Sequence, residues 1–155
     1  MLKRLMKRAD EEQGFTLIEL MVVVLIIGIL IAIALPTFLG ARERAQNRAA
    51  QSSLRNALVA AKTMYTDEGD YLTADEDATA GLPTVEPSLD FVANTVASDN
   101  PNEVSVLATA DVWSAAAMSD SGTCYYIEED AGSGTTYGSG TDCAADNVVA
   151  ADESW

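Results

Sequence analysis

The hydrophobic pattern of the chain changes sharply at Gly14. Residues 15–39 contain one ionisable side chain, Glu19. A bilayer core of about 30 Å is crossed by about 20 apolar residues in a helix, so this pattern predicts a membrane-spanning helix. Four basic residues lie in the short segment before it. Because Lys and Arg beside a span mark its cytoplasmic side, we expect the amino terminus to stay inside.

A second helical pattern follows over residues 40–66. Its apolar positions recur at helical spacing, namely Leu54, Ala57, Leu58, Ala61 and Tyr65. The two patterns predict one long helix with an apolar first half and an amphipathic second half, ending near Asp67 with Gly69 as its carboxyl-terminal cap. Pro36 lies in the first half, where it removes a helical hydrogen bond and predicts a kink.

The pattern beyond the helix predicts a loop and then a small sheet. Residues 67–102 contain three prolines and no sustained periodicity, which indicates a long connecting loop with a short helix or turn at 88–93. Three short runs then predict an antiparallel meander packed on the amphipathic helix: Glu103–Thr109, Val112–Met118 and Thr123–Glu128. Its core candidates are Trp113, Tyr125 or Tyr126, and Ile127. Residues 130–142, rich in Gly, Ser and Thr, are expected to form a flexible loop. The fold class is therefore α+β, with the β head at 103–155.

Charge is divided unevenly along the chain. The net charge is -15, and all nine basic residues lie at or before Lys62, whereas residues 63–155 hold nineteen acids and no base. Affinity for nucleic acid comes from Lys and Arg that neutralise phosphates. We therefore expect no direct binding of nucleic acid by the acidic head.

The residues that carry chemistry are few. Cys124 and Cys143 both follow the apolar segment, which suggests one disulfide in an oxidising compartment; two unpaired buried thiols are the alternative. The acidic cluster is a weak calcium candidate, because its spacing does not match an EF-hand and a solvated acidic surface is favoured. Its members are Asp67, Asp70, Asp75 and Asp77. We expect no other cofactor. The chain has no His and none of the common catalytic motifs, so we expect no enzyme activity.

The string GFTLIE, Gly14 to Glu19, resembles the class III signal of type IV prepilins and type II secretion pseudopilins, and the resemblance extends over residues 1–65. It implies a pilin fold and a leader, 1–14, that a prepilin peptidase removes after Gly14, with N-methylation of Phe15. It also implies that Glu19 registers against the Phe15 amine of a neighbouring subunit, and that the helix bends at Pro36. The short leader resembles the type IVa arrangement. A carboxyl-terminal loop closed by a disulfide between Cys124 and Cys143 resembles that of pilins, which favours a pilin over a pseudopilin.

The leading hypothesis is a major subunit of a type IV pilus, held in the cytoplasmic membrane and then polymerised into an extracellular filament. Its expected partners are copies of itself, the peptidase, a pilus assembly platform protein and minor pilins. Two alternatives stay open: a type II secretion pseudopilin, and a tethered or secreted binding module that never polymerises. The last includes a signal peptide cut near Ala32-Ile33-Ala34. For a filament, the charge division predicts that acidic heads lie over the basic helix segment of neighbours, and that neutralising Arg42, Arg44 and Arg48 weakens assembly.

Overall fold

The computed structural model describes residues 14–148 and Trp155. The predictions on the leader before Gly14 lie outside the described residues. The chain divides into two compact units at Gly40 and Ala41. The α+β class predicted from the sequence is confirmed, since one long helix precedes a five-stranded sheet.

Helix α1 spans Leu17–Glu68 and includes Pro36 within its length. Every described residue before Gly40 is exposed. An 18-residue window of the helix has a mean hydropathy of 3.1, with none of it buried. By length and composition this is enough to cross a membrane, a criterion that a signal sequence near the amino terminus also meets.

The helix ends where the sequence predicts. Gly69 has a φ of 88°, and its N–H donates to the carbonyl of Tyr65 at 2.8 Å. Only glycine adopts this left-handed conformation without a steric penalty. The last turn contains Asp67 and Glu68 and no basic residue, so it lacks the favourable charge that a helix carboxyl terminus prefers.

The head contains one sheet of five strands in the order β1-β2-β3-β4-β5. The strands are β1 Asp90–Ala93, β2 Glu103–Ala108, β3 Val112–Met118, β4 Cys124–Asp130 and β5 Gly134–Gly140. Strands β2 to β5 form an antiparallel meander, and β1 pairs with β2 in parallel. Short 3-10 helices lie at Leu82–Thr84 and Ala145–Asn147.

Two predictions for the head are wrong. Residues 88–93 were expected to form a short helix or turn, but Asp90–Ala93 is strand β1, which makes the sheet mixed rather than purely antiparallel. Residues 130–142 were expected to be a flexible loop, but most of them form β5. The Asp130 carboxylate accepts the N–H groups of Gly132 and Ser133 at 2.7 and 2.9 Å, and this turn aligns β5 with β4. In both segments pairing with a distant strand decides the conformation, which local propensity does not capture.

The core lies between one face of the sheet and the helix from Ala50 onward. Its fully buried large side chains include Leu54, Trp113 and Ile127. The Trp113 indole N–H donates to the Ala74 carbonyl at 3.0 Å, so its single polar atom is satisfied. Tyr125 belongs to the same cluster, whereas its strand neighbour Tyr126 faces the other side of the sheet, because successive side chains on a strand alternate.

Candidate functional site

The start of helix α1 holds the one acid of the apolar segment. The Glu19 carboxylate, through Oε2, accepts the Thr16 N–H at 2.9 Å and the Thr16 hydroxyl at 2.7 Å. In return, the Glu19 N–H donates to the Thr16 hydroxyl at 3.3 Å. This reciprocal pair is a capping box, in which Ser or Thr at the cap and Glu three residues later satisfy each other's backbone N–H groups. The spacing T-x-x-E before an apolar run was readable in the sequence, yet this structural role was not predicted.

The capping geometry uses only part of the carboxylate. Both hydrogen bonds go to Oε2, and Oε1 accepts none from the described residues. An ionised carboxylate has about four lone-pair sites. Glu19 can therefore cap its own helix and still accept a cation from another molecule.

The peptide bond between Gly14 and Phe15 lies outside regular structure. Both residues precede the first helical residue, Leu17, and both are exposed. The sequence-predicted cleavage position therefore lies before the helix, at exposed residues.

The surface of residues 15–39 is apolar apart from Thr16, Glu19 and Thr37. Its large side chains, from Phe15 to Leu39, are 47% to 83% exposed. Soluble monomers rarely expose a contiguous apolar patch of this kind unless it binds a membrane or another protein. The segment is therefore a surface for lipid or for other protein chains.

The acidic cluster after the helix has an internal role in the loop. The carboxylate of Asp70 accepts the Leu72 N–H at 2.9 Å, and that of Asp75 accepts the Asp77 N–H at 3.0 Å. Side chains of this kind hold Asx turns. Across the described part of the chain, no group of three or more His, Cys, Asp or Glu side chains is placed to hold a metal ion.

Hydrogen bonds to Asp77 and close packing at Gly81 hold this loop in one conformation. Its carboxylate accepts the Thr79 hydroxyl and N–H at 2.6 and 2.7 Å, and these hydrogen bonds lower the pKa of Asp77. At Gly81 an added Cβ would lie 2.5 Å from the Asp75 carbonyl oxygen, so the loop has no room for a side chain there. The remaining calcium candidate, Asp67, is exposed on the last turn of α1.

Cys124 and Cys143 are joined by a disulfide, with their Cα atoms 5.3 Å apart. Both are buried on the face of the sheet that carries Tyr126. The Cys143 carbonyl accepts the Ser98 N–H at 3.0 Å. The bridge therefore fastens the segment after β5 to β4, and its neighbouring backbone to the loop that follows β1.

Comparison with known proteins finds one family model and several relatives of the same kind. Residues 11–35 match the family described as the prokaryotic N-terminal methylation motif. The chain is 31% identical over 106 residues to the type IV wide pilus major component PilA4 of Thermus thermophilus, covering 67% of this chain and 80% of that protein. It is 36% identical over 85 residues to the type II secretion system core protein G of Escherichia coli, covering 53% of this chain and 58% of that protein.

A third relative, the type IV major pilin protein PilA of Myxococcus xanthus, is 44% identical over 59 residues, which is 38% of this chain and 27% of that protein. The chain thus spans little more than half the length of the Escherichia coli protein and about a quarter of the Myxococcus xanthus protein. No solved structure matches the chain significantly.

Proposed function

This chain belongs to the type IV pilin-like family, and on that premise we propose that it is the major subunit of a type IV pilus. The observation that carries the proposal is the combination of the GFTLIE string with an exposed apolar helix that holds one partly used carboxylate. A structural role also agrees with its relatives, which are filament and secretion subunits rather than enzymes.

The first step of the proposed pathway is processing in the membrane. The chain inserts through residues 15–39 with its amino terminus on the cytoplasmic side. A prepilin peptidase cuts the exposed bond between Gly14 and Phe15 and methylates the new amine of Phe15. The cut removes the four early basic residues of the leader and leaves one cation at the tip of the apolar segment.

The second step is pairing between subunits. The new Phe15 amine of one subunit binds the Glu19 carboxylate of its neighbour through Oε1, while Oε2 keeps capping the neighbour's own helix. A charge pair is strong where water is excluded, because the effective dielectric is low. An unpaired carboxylate costs about 2.5–3.5 kcal/mol at the centre of a membrane span on insertion scales, and it costs less near the end, where Glu19 lies. Pairing therefore fixes the axial register of the helices.

The third step exchanges lipid for protein around the apolar segment. Residues 15–39 of many copies pack together as the filament core, the helix yields at Pro36, and the acidic heads form the outside. The pilus assembly platform protein extracts the subunits, and minor pilins join the same filament. The mature protein is then part of an extracellular pilus.

A type II secretion pseudopilin is the second candidate, favoured by the identity to core protein G over 85 residues. The pilus is preferred because PilA4 is matched over a larger share of both chains. Filaments recovered from the cell surface support the pilus, whereas filaments confined to the periplasm together with loss of a secreted enzyme would favour the pseudopilin.

The main experiment is amino-terminal sequencing of protein sheared from the cell surface. We expect a chain that begins at N-methylated Phe15. A surface protein that still carries its first fourteen residues, or that begins after Ala34, would contradict the proposal.

Glu19→Gln tests the charge pair separately from the cap. Glutamine also serves in a capping box, so helix capping is kept while the charge is lost. We expect normal processing and at least about tenfold less sheared filament, since a buried unpaired amine is left behind. Thr16→Ala is the matched control, because it removes the cap and keeps the charge, and its filament yield should fall less. The opposite ranking would show that capping, rather than charge, governs assembly.

A further inference from the structure

The basic residues of helix α1 beyond Gly40 form two groups on different sides of the helix. At 3.6 residues per turn, residues spaced by four and seven share one side. Arg44, Arg48, Arg55 and Lys62 follow this spacing and form a single basic stripe. Arg42, two residues before Arg44, lies on a different side.

The carboxyl-terminal end of the stripe is used inside the subunit. The Lys62 ammonium lies 2.9 Å from the Glu129 carboxylate on β4. The Arg55 guanidinium lies 4.9 Å from the centre of the Trp155 ring and donates to the Trp155 backbone oxygen at 3.1 Å. These two residues fasten the sheet and the last residue of the chain to the helix.

The amino-terminal end of the stripe has no such use. Arg44 and Arg48 are exposed, and neither makes an ion pair with a described residue. They lie one helical turn apart, where like charges repel and destabilise a helix. The same side of the helix that binds a carboxylate and an indole at one end therefore has no ion-pair partner at the other among the residues that the structure describes.

A second copy of the chain offers the complementary charge. Residues 63–155 carry nineteen acids and no base, and many of these acids are exposed, among them Asp67, Glu76, Asp111 and Asp120. At physiological salt the Debye length is about 8 Å, so packed heads repel one another over short distances. Bases that form no ion pair with the described residues of their own chain, such as Arg44 and Arg48, are the natural counter-charge.

We propose that Arg44 and Arg48 bind the acidic head of a neighbouring copy in the filament. The proposal rests on the proposed function, and it narrows the sequence prediction from three arginines to the two on the stripe. The contact uses the same side of the helix that, through Arg55 and Lys62, already binds the head of its own subunit. It also offsets the repulsion between heads at the point where they meet.

The test compares Arg44→Gln/Arg48→Gln with wild type in cells that make the full-length protein. We expect about threefold to tenfold less sheared filament at low salt, because exposed charge pairs are individually modest but repeat at every subunit. The difference should shrink in high salt as charges are screened. Processing after Gly14 and the Cys124–Cys143 disulfide should be unchanged, which shows that the subunit is inserted and folded.

Arg42→Gln is the matched control, to be compared with Arg44→Gln alone. Each removes one exposed positive charge from the same part of the helix. We expect the Arg42 variant to keep most of its filament yield and the Arg44 variant to lose more. Equal losses would show that net charge matters and the stripe does not.

Crosslinking identifies the partner directly. Arg44→Lys/Arg48→Lys keeps the charge and adds amines that a carbodiimide links to nearby carboxylates. Intact filaments should yield crosslinks from these amines to an acid beyond residue 63 of another copy, and Lys62 to Glu129 within one chain serves as the internal control. If the Lys62–Glu129 control link forms but no crosslink joins these lysines to another copy, the proposal is overturned.

The outcomes also separate the two proposals. If wild type yields no filament and keeps its leader, the proposed function itself fails. If wild type yields filaments and the Arg44 and Arg48 variants match it at every salt concentration, only the arginine contact fails. A variant that is lost from the membrane before assembly, with its processing impaired, would indicate that the arginines bind lipid headgroups instead and would also overturn the contact.

Discussion

Two parts of the same helix differ in how their apolar side chains are covered. Over residues 17–39 every side chain is exposed, although most are large and apolar. Over residues 50–64 eight side chains are buried, mostly alanine and leucine. The apolar side chains among them share one core cluster with residues of the β strands, so the apolar stripe is covered by the chain's own head. The second part is therefore complete within one subunit, whereas the first can be completed only by lipid or by other protein chains.

Charge shows the same contrast. In the second part, Lys62 pairs with the buried Glu129 of the same chain. In the first part the carboxylate of the one acid, Glu19, accepts hydrogen bonds only from Thr16 among the described residues, through a single oxygen, and retains capacity for a cation from elsewhere. Both the apolar surface and the lone charge of the first part therefore call for another molecule, which is the physical basis of assembly.

The largest effect is expected when the same substitution is made in each part. Leu54 is fully buried, so Leu54→Ala should lower the free energy of unfolding of the head by about 2–5 kcal/mol. Leu25 is 63% exposed, so Leu25→Ala should change that free energy by less than about 0.5 kcal/mol. Urea unfolding of the full-length proteins in detergent, followed by tryptophan fluorescence, measures both, because Trp113 and Trp155 both lie in the head.

Filament yield provides the complementary measurement. Leu25→Ala should lower it without destabilising the head, because the leucine is covered only in the assembled state. If Leu25→Ala destabilised the head as much as Leu54→Ala, the division into a completed and an uncompleted part would be wrong.

A second prediction weakens the head while leaving the apolar segment intact. The disulfide closes a loop with a sequence separation of 19, and a loop of this size contributes about 3 kcal/mol in the chain-entropy model. Cys124→Ala/Cys143→Ala should therefore lower the stability of the head by about that amount, measured by urea unfolding. Wild type under reducing conditions is the control and should match the variant. Loss of membrane insertion in the variant would contradict the independence of the two parts.

The sequence predicted the parts of the fold that depend on local pattern. The apolar run, the amphipathic run and the Gly69 cap follow from periodicity and from the conformational freedom of glycine. Strands β2, β3 and β4 follow from short apolar runs between turn residues. In each case neighbouring residues contain enough information to decide the structure.

The parts that were missed depend on contacts between distant residues. Strand β1 exists because Phe91 and its neighbours pair with β2, and β5 exists because a chain rich in Gly, Ser and Thr aligns with β4. The Asx turns of the acidic loop were also not predicted, in which Asp75 and Asp77 accept hydrogen bonds from backbone groups of their own loop. For Glu19 the local T-x-x-E spacing indicates a capping box, but the sequence prediction assigned its carboxylate only to the Phe15 amine of a neighbouring subunit.

The smallest effect concerns alkaline pH and applies to the head and the end of the helix it covers, because all five tyrosines lie beyond residue 64. Burial, followed by the charge of Glu129, raises the pKa of Tyr71. A group whose pKa is raised on folding contributes stability below its unfolded value of about 10, and that contribution is lost as the pH rises through the folded value. Tyr71→Phe should therefore reduce the loss of head stability between pH 9 and 11 by about 1 kcal/mol or less. Urea midpoints of the two proteins across this range measure it, and since every other group is shared, their difference isolates Tyr71. Parallel curves would mean that the phenol titrates alike in the folded and unfolded chain, and that the core around Tyr71 excludes water less completely than the burial of this residue indicates.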